Sequence, residues 1–335
     1  MSNADIVLVM SPNWLGDAVM ALPAIADLRR HFSSSHLMVA ARPSISSLFT
    51  LVRGIDSVVN ADVRSIRSTN ASIAVLLPNS FASAWLVKRS KVAERWGYAT
   101  DMRRFLLTRA IPRPAKPLHQ GEYYQSLIAA LGIQNGPLES ALSIPENAIR
   151  DARHLLEERG WDQTSPLIVL APGAAYGKAK QWIPSHVISL TTTLVRERRG
   201  TCALVGSRGD AATIRAIRSA APSDCQPRII DLAGATTLPV LAGVMSLASA
   251  CVSNDSGAMH LAAAAGVPTV AIFGPTNERA TSPLAPAGVS VEVVTNPVWC
   301  RPCMLRECPI DHRCMTGIES PRVFTAIERV ARMSA

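Results

Sequence analysis

Short apolar runs alternate with helix-capable segments almost from one end of the chain to the other, and this alternation limits the fold more than any other feature. In the first half the runs are "IVLVM", "HLMVAA" and "SIAVLL"; in the second they are "PLIVLAPG", "TCALVG", "RIIDLAG", "CVSND" and "PTVAIFG". Each is short enough for a strand, and a strand that is apolar throughout is covered on both faces. The pattern therefore predicts an α/β architecture of doubly wound parallel sheets with helices on both sides. A chain of 335 residues is about twice the usual domain size, and with 48% apolar residues it can fill two cores. The segment "RDARHLLEERGWDQTSP", a helix ending in a Gly, Asp, Ser and Pro cluster, marks the border. It separates residues 1–160 from residues 165–318. The remaining 319–335 hold a closing helix, "SPRVFTAIERVARM", with Val323, Ile327 and Val330 on one face. Ligands of such sheets bind at the carboxyl ends of the strands, so a substrate pair would meet in a cleft between the two domains.

Net charge is +9, which favours anionic partners. Nine lysines and arginines fall between Lys88 and Lys116, Arg103 and Arg104 among them, against Glu94 and Asp101. A run of this kind is an ordinary solvated surface or a contact for a phosphorylated substrate or an anionic membrane face. Trp96, Tyr98 and Phe105 are interleaved in it without a recognisable RNA-binding motif, and nucleic acid is not expected as a partner. The longest apolar runs, such as "LAAAAGVPTVAIFG", are broken by Gly and Pro and fall short of the ~20 residues of a membrane helix. Asp5 stands where a signal peptide would carry basic residues, so a cytoplasmic location is expected.

Three strand ends of the second half carry chemistry. After "CVSN" come Asp255, Ser256 and Gly257, then an Ala-rich helix through Ala258 and His260. The amides of a first helical turn and the positive end of its dipole bind phosphate, and Gly257 permits close approach. Asp or Ser at such a place also serves as an ordinary N-cap. After "PLIVL" comes "APGAAYGKAKQW", with Gly173, Gly177, Lys178 and Lys180, a glycine loop whose lysines can neutralise a diphosphate. It lacks the Walker A pattern. In "LVGSRGDAATIRAI", Asp210 is either a ribose-binding carboxylate or an N-cap. In the first half, "SPNWLGDAVMALPAI" follows the first strand and carries Asn13, Trp14, Gly16 and Asp17. A carboxylate there suits removal of a proton from a nucleophile better than binding of a diphosphate, unless Asp17 merely caps the helix.

Four of the seven cysteines cluster as Cys300, Cys303, Cys308 and Cys314, with His312 inside the cluster. The C-x2-C-x4-C-x5-C spacing fits a structural zinc, and four reduced thiols are the alternative. Cys202, Cys225 and Cys251 stand in apolar contexts and read as core residues.

Several longer segments, in this order, resemble the ADP-heptose lipopolysaccharide heptosyltransferases of glycosyltransferase family 9, and the heptosyltransferase II branch most closely. They are "PNWLGDAVMALPAI", "ERWGYATDMRRFLLT", "YYQSLIAALG", "PGAAYGKAKQW", "SNDSGAMHLAAAAGVPTVAIFGPT" and "CMLRECPIDHRCM". The resemblance implies a GT-B fold, two Rossmann-like domains with the nucleotide held by the second and the last helix returning to the first. It implies that Asp17 is the general base and that Lys180 contacts the donor phosphates. Asp255, Ser256, Gly257 and His260 then form the donor loop, and Asp210 lies near the adenosine ribose. Where other members have Thr or Ser before the lysine, this chain has Ala174, Ala175 and Tyr176, which leaves backbone amides to meet the phosphate. The implied reaction is an inverting transfer of heptose from ADP-heptose to the first heptose of a phosphorylated inner-core glycolipid, with no cofactor required. Asn13, Trp14, Gly16, Arg103 and Arg104 would face the acceptor, and the enzyme would touch the cytoplasmic face of the inner membrane. A related GT-B transferase or epimerase with another nucleotide sugar is the alternative.

Overall fold

Among the described residues every strand pairs parallel, in two six-stranded sheets. The computed structural model describes residues 5–173 and 177–331. It divides into two units, Met1–Ser143 and Ile144–Ala335. The first unit contains β1 (Ile6–Met10), β2 (His36–Ala41), β3 (Ser57–Asn60), β4 (Ile73–Leu76), β5 (Glu94–Tyr98) and β6 (Arg109–Ile111). The second contains β7 (Leu167–Ala171), β8 (Thr201–Leu204), β9 (Ile229–Asp231), β10 (Ala250–Asn254), β11 (Thr269–Phe273) and β12 (Val291–Thr295).

The order is β3-β2-β1-β4-β5-β6 in one sheet and β9-β8-β7-β10-β11-β12 in the other, so the same Rossmann-like winding occurs twice. At the β1/β4 and β7/β10 neighbours the connections leave in opposite directions. The loops part there, which makes each pair a topological switch point with a crevice at the carboxyl ends.

Why the apolar runs became strands is visible in β7. Ile168 and Leu170 enter one core cluster with Trp182, Val187 and Leu190, whereas Leu167, Val169 and Ala171 enter another with Ala152, Leu156 and Val244. Alternate side chains point to opposite faces and both faces are covered, so polar residues find no place along the strand. Strands β3, β5, β6 and β12 are short and partly polar, and apolar patterning alone does not mark them.

One expectation about the organisation changes. The border lies between Ser143 and Ile144 rather than at 160–165. The helix Glu146–Glu158 packs inside the second unit against the helix Leu238–Ser246, where a Cβ on Gly243 would come within 2.4 Å of the Ala148 carbonyl oxygen. That close approach requires Gly243, and the Gly-Asp-Ser-Pro cluster ends a helix rather than a domain. The closing helix, Ser320–Ala331, buries Val323, Ala326, Ile327 and Val330 in the second unit, against the helix Pro184–Arg198 and strands β10, β11 and β12. Its apolar stripe is covered by the second unit's own sheet. Among the described residues, no helix is long and apolar enough to cross a membrane.

Candidate active site

In the second unit the loops after β7, β8 and β10 stand side by side. Lys180 lies on a single 3-10 turn, Lys178–Lys180, and its Nζ is 2.6 Å from Asp255 Oδ2. Asp255 directly follows β10, and Thr276, in the loop after β11, donates its hydroxyl to the same oxygen at 2.6 Å. Both side chains of the ion pair are largely buried, at 14% and 8% exposure, so the charges meet with little screening. Next comes Ser256, the N-cap of the helix Gly257–Ala264, whose side chain accepts from the Ala258 amide. Asp255, Ser256, Gly257 and Ala258 thus form the head of one helix, with Lys180 held against it.

Asn254 ties the two loops together. Its amide nitrogen donates to the Pro172 carbonyl at 2.7 Å and to that of Gly173 at 3.3 Å, and its Oδ1 accepts from the Trp182 amide at 3.2 Å. Asp210 approaches from the other side: a Cβ on Gly173 would lie 2.4 Å from its Oδ1. Glycine is needed at 173 because a carboxylate lies over its backbone. The other oxygen, Oδ2, accepts from the Ser207 amide at 2.8 Å and the Ser207 hydroxyl at 2.7 Å, so Asp210 is the third-residue partner in a capping box headed by Ser207, and its side chain makes no capping bond to the helix that follows it. His260, on the same helix as Ser256 caps, is buried at 3% exposure. Lys178 is exposed, and Ala174, Ala175 and Tyr176 lie outside the described residues.

The cysteine-rich segment braces the Lys180 turn from beneath. The Ala179 amide donates to the Arg306 carbonyl at 3.0 Å, and His312 Nε2 bonds the Ala179 carbonyl at 2.7 Å. Cys300, Cys303, Cys308 and Cys314 line one cavity of about 150 Å3 together with Ala179 and Pro275. Burial, then the three neighbouring cysteines, push the Cys314 thiol above its ordinary range. None of the four is in a disulfide, and among the described residues no three His, Cys, Asp or Glu side chains are gathered closely enough to hold a metal ion.

In the first unit, Asp17 sits in the first turn of the helix Leu15–Met20, directly after β1 and beside the β1/β4 crevice. It is not the cap: Trp14 holds that position and makes no side-chain capping bond. Gly16 is an ordinary helical residue here, not the residue that opens the turn. The Asp17 side chain is half-buried and lies close to Tyr124, whose hydroxyl is pushed well above its usual range by burial and by the Asp17 charge. Asn13 and Trp14 are exposed on the same loop.

The basic window separates into unlike parts. Arg104 is exposed, but Arg103 is wholly buried and cannot meet an acceptor. It donates to the carbonyls of Tyr98, Pro78 and Ser80 and to the Ser83 hydroxyl, and so fixes the loop after β4. Burial pushes its guanidinium down to about 10. Trp96 and Tyr98 are buried as well. Past the end of β4, Asn79, Arg113, Lys116, Gln120 and Tyr123 line a cavity of about 400 Å3. Asn254, Thr276, Asn79 and Tyr123 escape a reading of the sequence, because only the paired loops reveal what they touch.

Residues 59–313 match glycosyltransferase family 9 (heptosyltransferase). Lipooligosaccharide heptosyltransferase 2 of Haemophilus ducreyi is 27% identical over 311 residues, covering 86% of this chain and 88% of the relative. Lipopolysaccharide heptosyltransferase 2 of Salmonella typhimurium is 28% identical over 313 residues, with 86% and 88% covered. The solved structure of E. coli ADP-heptose lps heptosyltransferase II superposes with a TM-score of 0.84 at 26% identity, covering 97% of this chain and 98% of that one. The twofold Rossmann-like winding is that of the expected GT-B fold. With most of its length matched, the chain belongs to glycosyltransferase family 9, the heptosyltransferases.

Proposed function

We propose that the protein is an inverting glycosyltransferase that moves heptose from ADP-heptose to the first heptose of the lipopolysaccharide inner core. The observation that carries this reading is the Lys180–Asp255 pair at the head of the Gly257–Ala264 helix, on the β7/β10 switch point. A cation beside the positive end of a helix suits a diphosphate, and the pair keeps the ammonium in place before the ligand arrives. The E. coli structure of like fold is an ADP-heptose enzyme by its own description, which supports the choice of donor.

In this reading the second unit takes the donor and the first unit takes the acceptor. Asp17 accepts the proton of an acceptor hydroxyl, and that oxygen forms a bond to the anomeric carbon. The bond from that carbon to the diphosphate oxygen breaks with its electron pair, so ADP leaves and the configuration inverts. Lys180 and the amides after Ser256 stabilise the charge that grows on the leaving oxygen, the kind of contribution that is usually the largest in such steps. The acceptor is a phosphorylated glycolipid, which gives the exposed cations of the first unit a partner and places the enzyme at the cytoplasmic face of the inner membrane.

The test is transfer itself. The protein is incubated with a heptose-bearing acceptor and ADP-heptose, UDP-sugars or GDP-sugars in parallel. Transfer from ADP-heptose is expected, and failure with every ADP-sugar overturns the reading.

A further inference from the structure

The helix Phe81–Arg89, which follows β4, buries Ser83, Ala84 and Val87 and turns a different stripe to water. Its exposed positions include Phe81, Trp85, Lys88 and Arg89, spaced i, i+4, i+7 and i+8 along one side. The ring of Phe81 is 6.4 Å from that of Trp85 and 6.1 Å from that of Phe105, on the turn after β5. Phe105 is 70% exposed and Met102, on the same turn, 86%. Single exposed apolar residues are common, but three exposed rings joined through Phe81 add little to the core and mark an interaction surface.

Charge indicates the partner. Lys88 and Arg89 end the helix and Arg104 precedes Phe105, all exposed. The acid among them, Asp101, is engaged at the head of the helix, where its Oδ2 accepts from the Phe81 amide at 2.5 Å. Aromatic rings rimmed by cations fit the boundary of an anionic bilayer, where the rings enter the headgroup layer and the cations meet phosphates. We propose that Phe81, Trp85 and Phe105, with Lys88, Arg89 and Arg104 around them, form the face by which the protein lies on an anionic phospholipid surface. This rests on the reading that the acceptor is a membrane glycolipid. The helix follows β4, the strand beside β1, so the anchor sits on the same rim of the first sheet as the Asp17 loop.

The full chain is floated with vesicles of phosphatidylethanolamine and phosphatidylglycerol, and separately with phosphatidylcholine vesicles. Binding to the anionic vesicles alone, weakened by salt, is expected. The double variant Trp85→Ser, Phe105→Ser should bind them at least about tenfold more weakly, with an unchanged melting curve and unchanged transfer to a deacylated, water-soluble acceptor. Equal vesicle binding by wild type and variant, or none by wild type, overturns the proposal. So does a wild-type dimer that the variant turns into a monomer while vesicle binding stays the same, because the rings then cover a second copy of the chain. If neither protein transfers sugar to any acceptor but the binding difference persists, the enzymatic reading fails and the membrane face stands.

Discussion

The two units share one strand order and differ in what they place at the same point of it. At the β1/β4 crevice stands a carboxylate, Asp17, half-buried near the Tyr124 hydroxyl. At the β7/β10 crevice stands a lysine paired to Asp255 and set against a helix head. The winding opens the crevice in both, and in the proposed reaction the loop residues decide whether it handles a proton or a diphosphate. One fold used twice can therefore divide a displacement between a base and a leaving-group site.

The largest effect expected from breaking this division is on Asp17. Asp17→Ala should lower the rate of transfer by about a thousandfold, the range lost with a positioned general base; a near wild-type rate would remove Asp17 from that role. Lys180→Ala should slow transfer by about a hundredfold, since one preorganised cation is lost from the leaving group. It also leaves Asp255 buried without its cation, so thermal or denaturant unfolding should show a loss of about 2–4 kcal/mol. An unaltered unfolding curve would mean that the pair does not hold the site together.

Arg103→Leu sharpens the comparison within the first unit. It strips the carbonyls of Tyr98, Pro78 and Ser80 of their donor, and unfolding should register about 2–3 kcal/mol with donor binding in the second unit preserved. If stability holds and only acceptor use changes, Arg103 faces the ligand after all. The smallest effect concerns the thiols of the second unit. Burial pushes Cys202 and Cys251 up to about 12, so at pH 8 both stay almost wholly protonated. Alkylation of the native protein at pH 8, read by mass spectrometry, should spare both and mark exposed Cys303. Labelling of the buried pair should rise only as the pH nears 12 or the chain unfolds.

What could be read from the sequence follows burial. β1 and β7 were legible because both faces are covered, which leaves strictly apolar runs, and β10 and β11 keep mostly apolar ones. β5 was not, since Glu94, Arg95 and Gly97 break the pattern, and three-residue β6 is too short to show one. In the site, Asp17, Lys180, Asp255 and Ser256 were legible as polar residues at strand ends. The pairing of Lys180 with Asp255, and the ties made by Asn254 and Thr276, join residues far apart in the chain and carry no local signal. Arg103 misled because a cation in a basic run reads as surface, whereas here its donors meet buried carbonyls.

The central claim is the division of labour between the units, and ADP binding tests it most directly. Isothermal titration of ADP into wild type, Asp17→Ala and Lys180→Ala should give the same Kd for the first two and a Kd at least about tenfold weaker for the third, as expected for loss of a charge-assisted phosphate contact. A Kd that weakens with Asp17→Ala and holds with Lys180→Ala would contradict it.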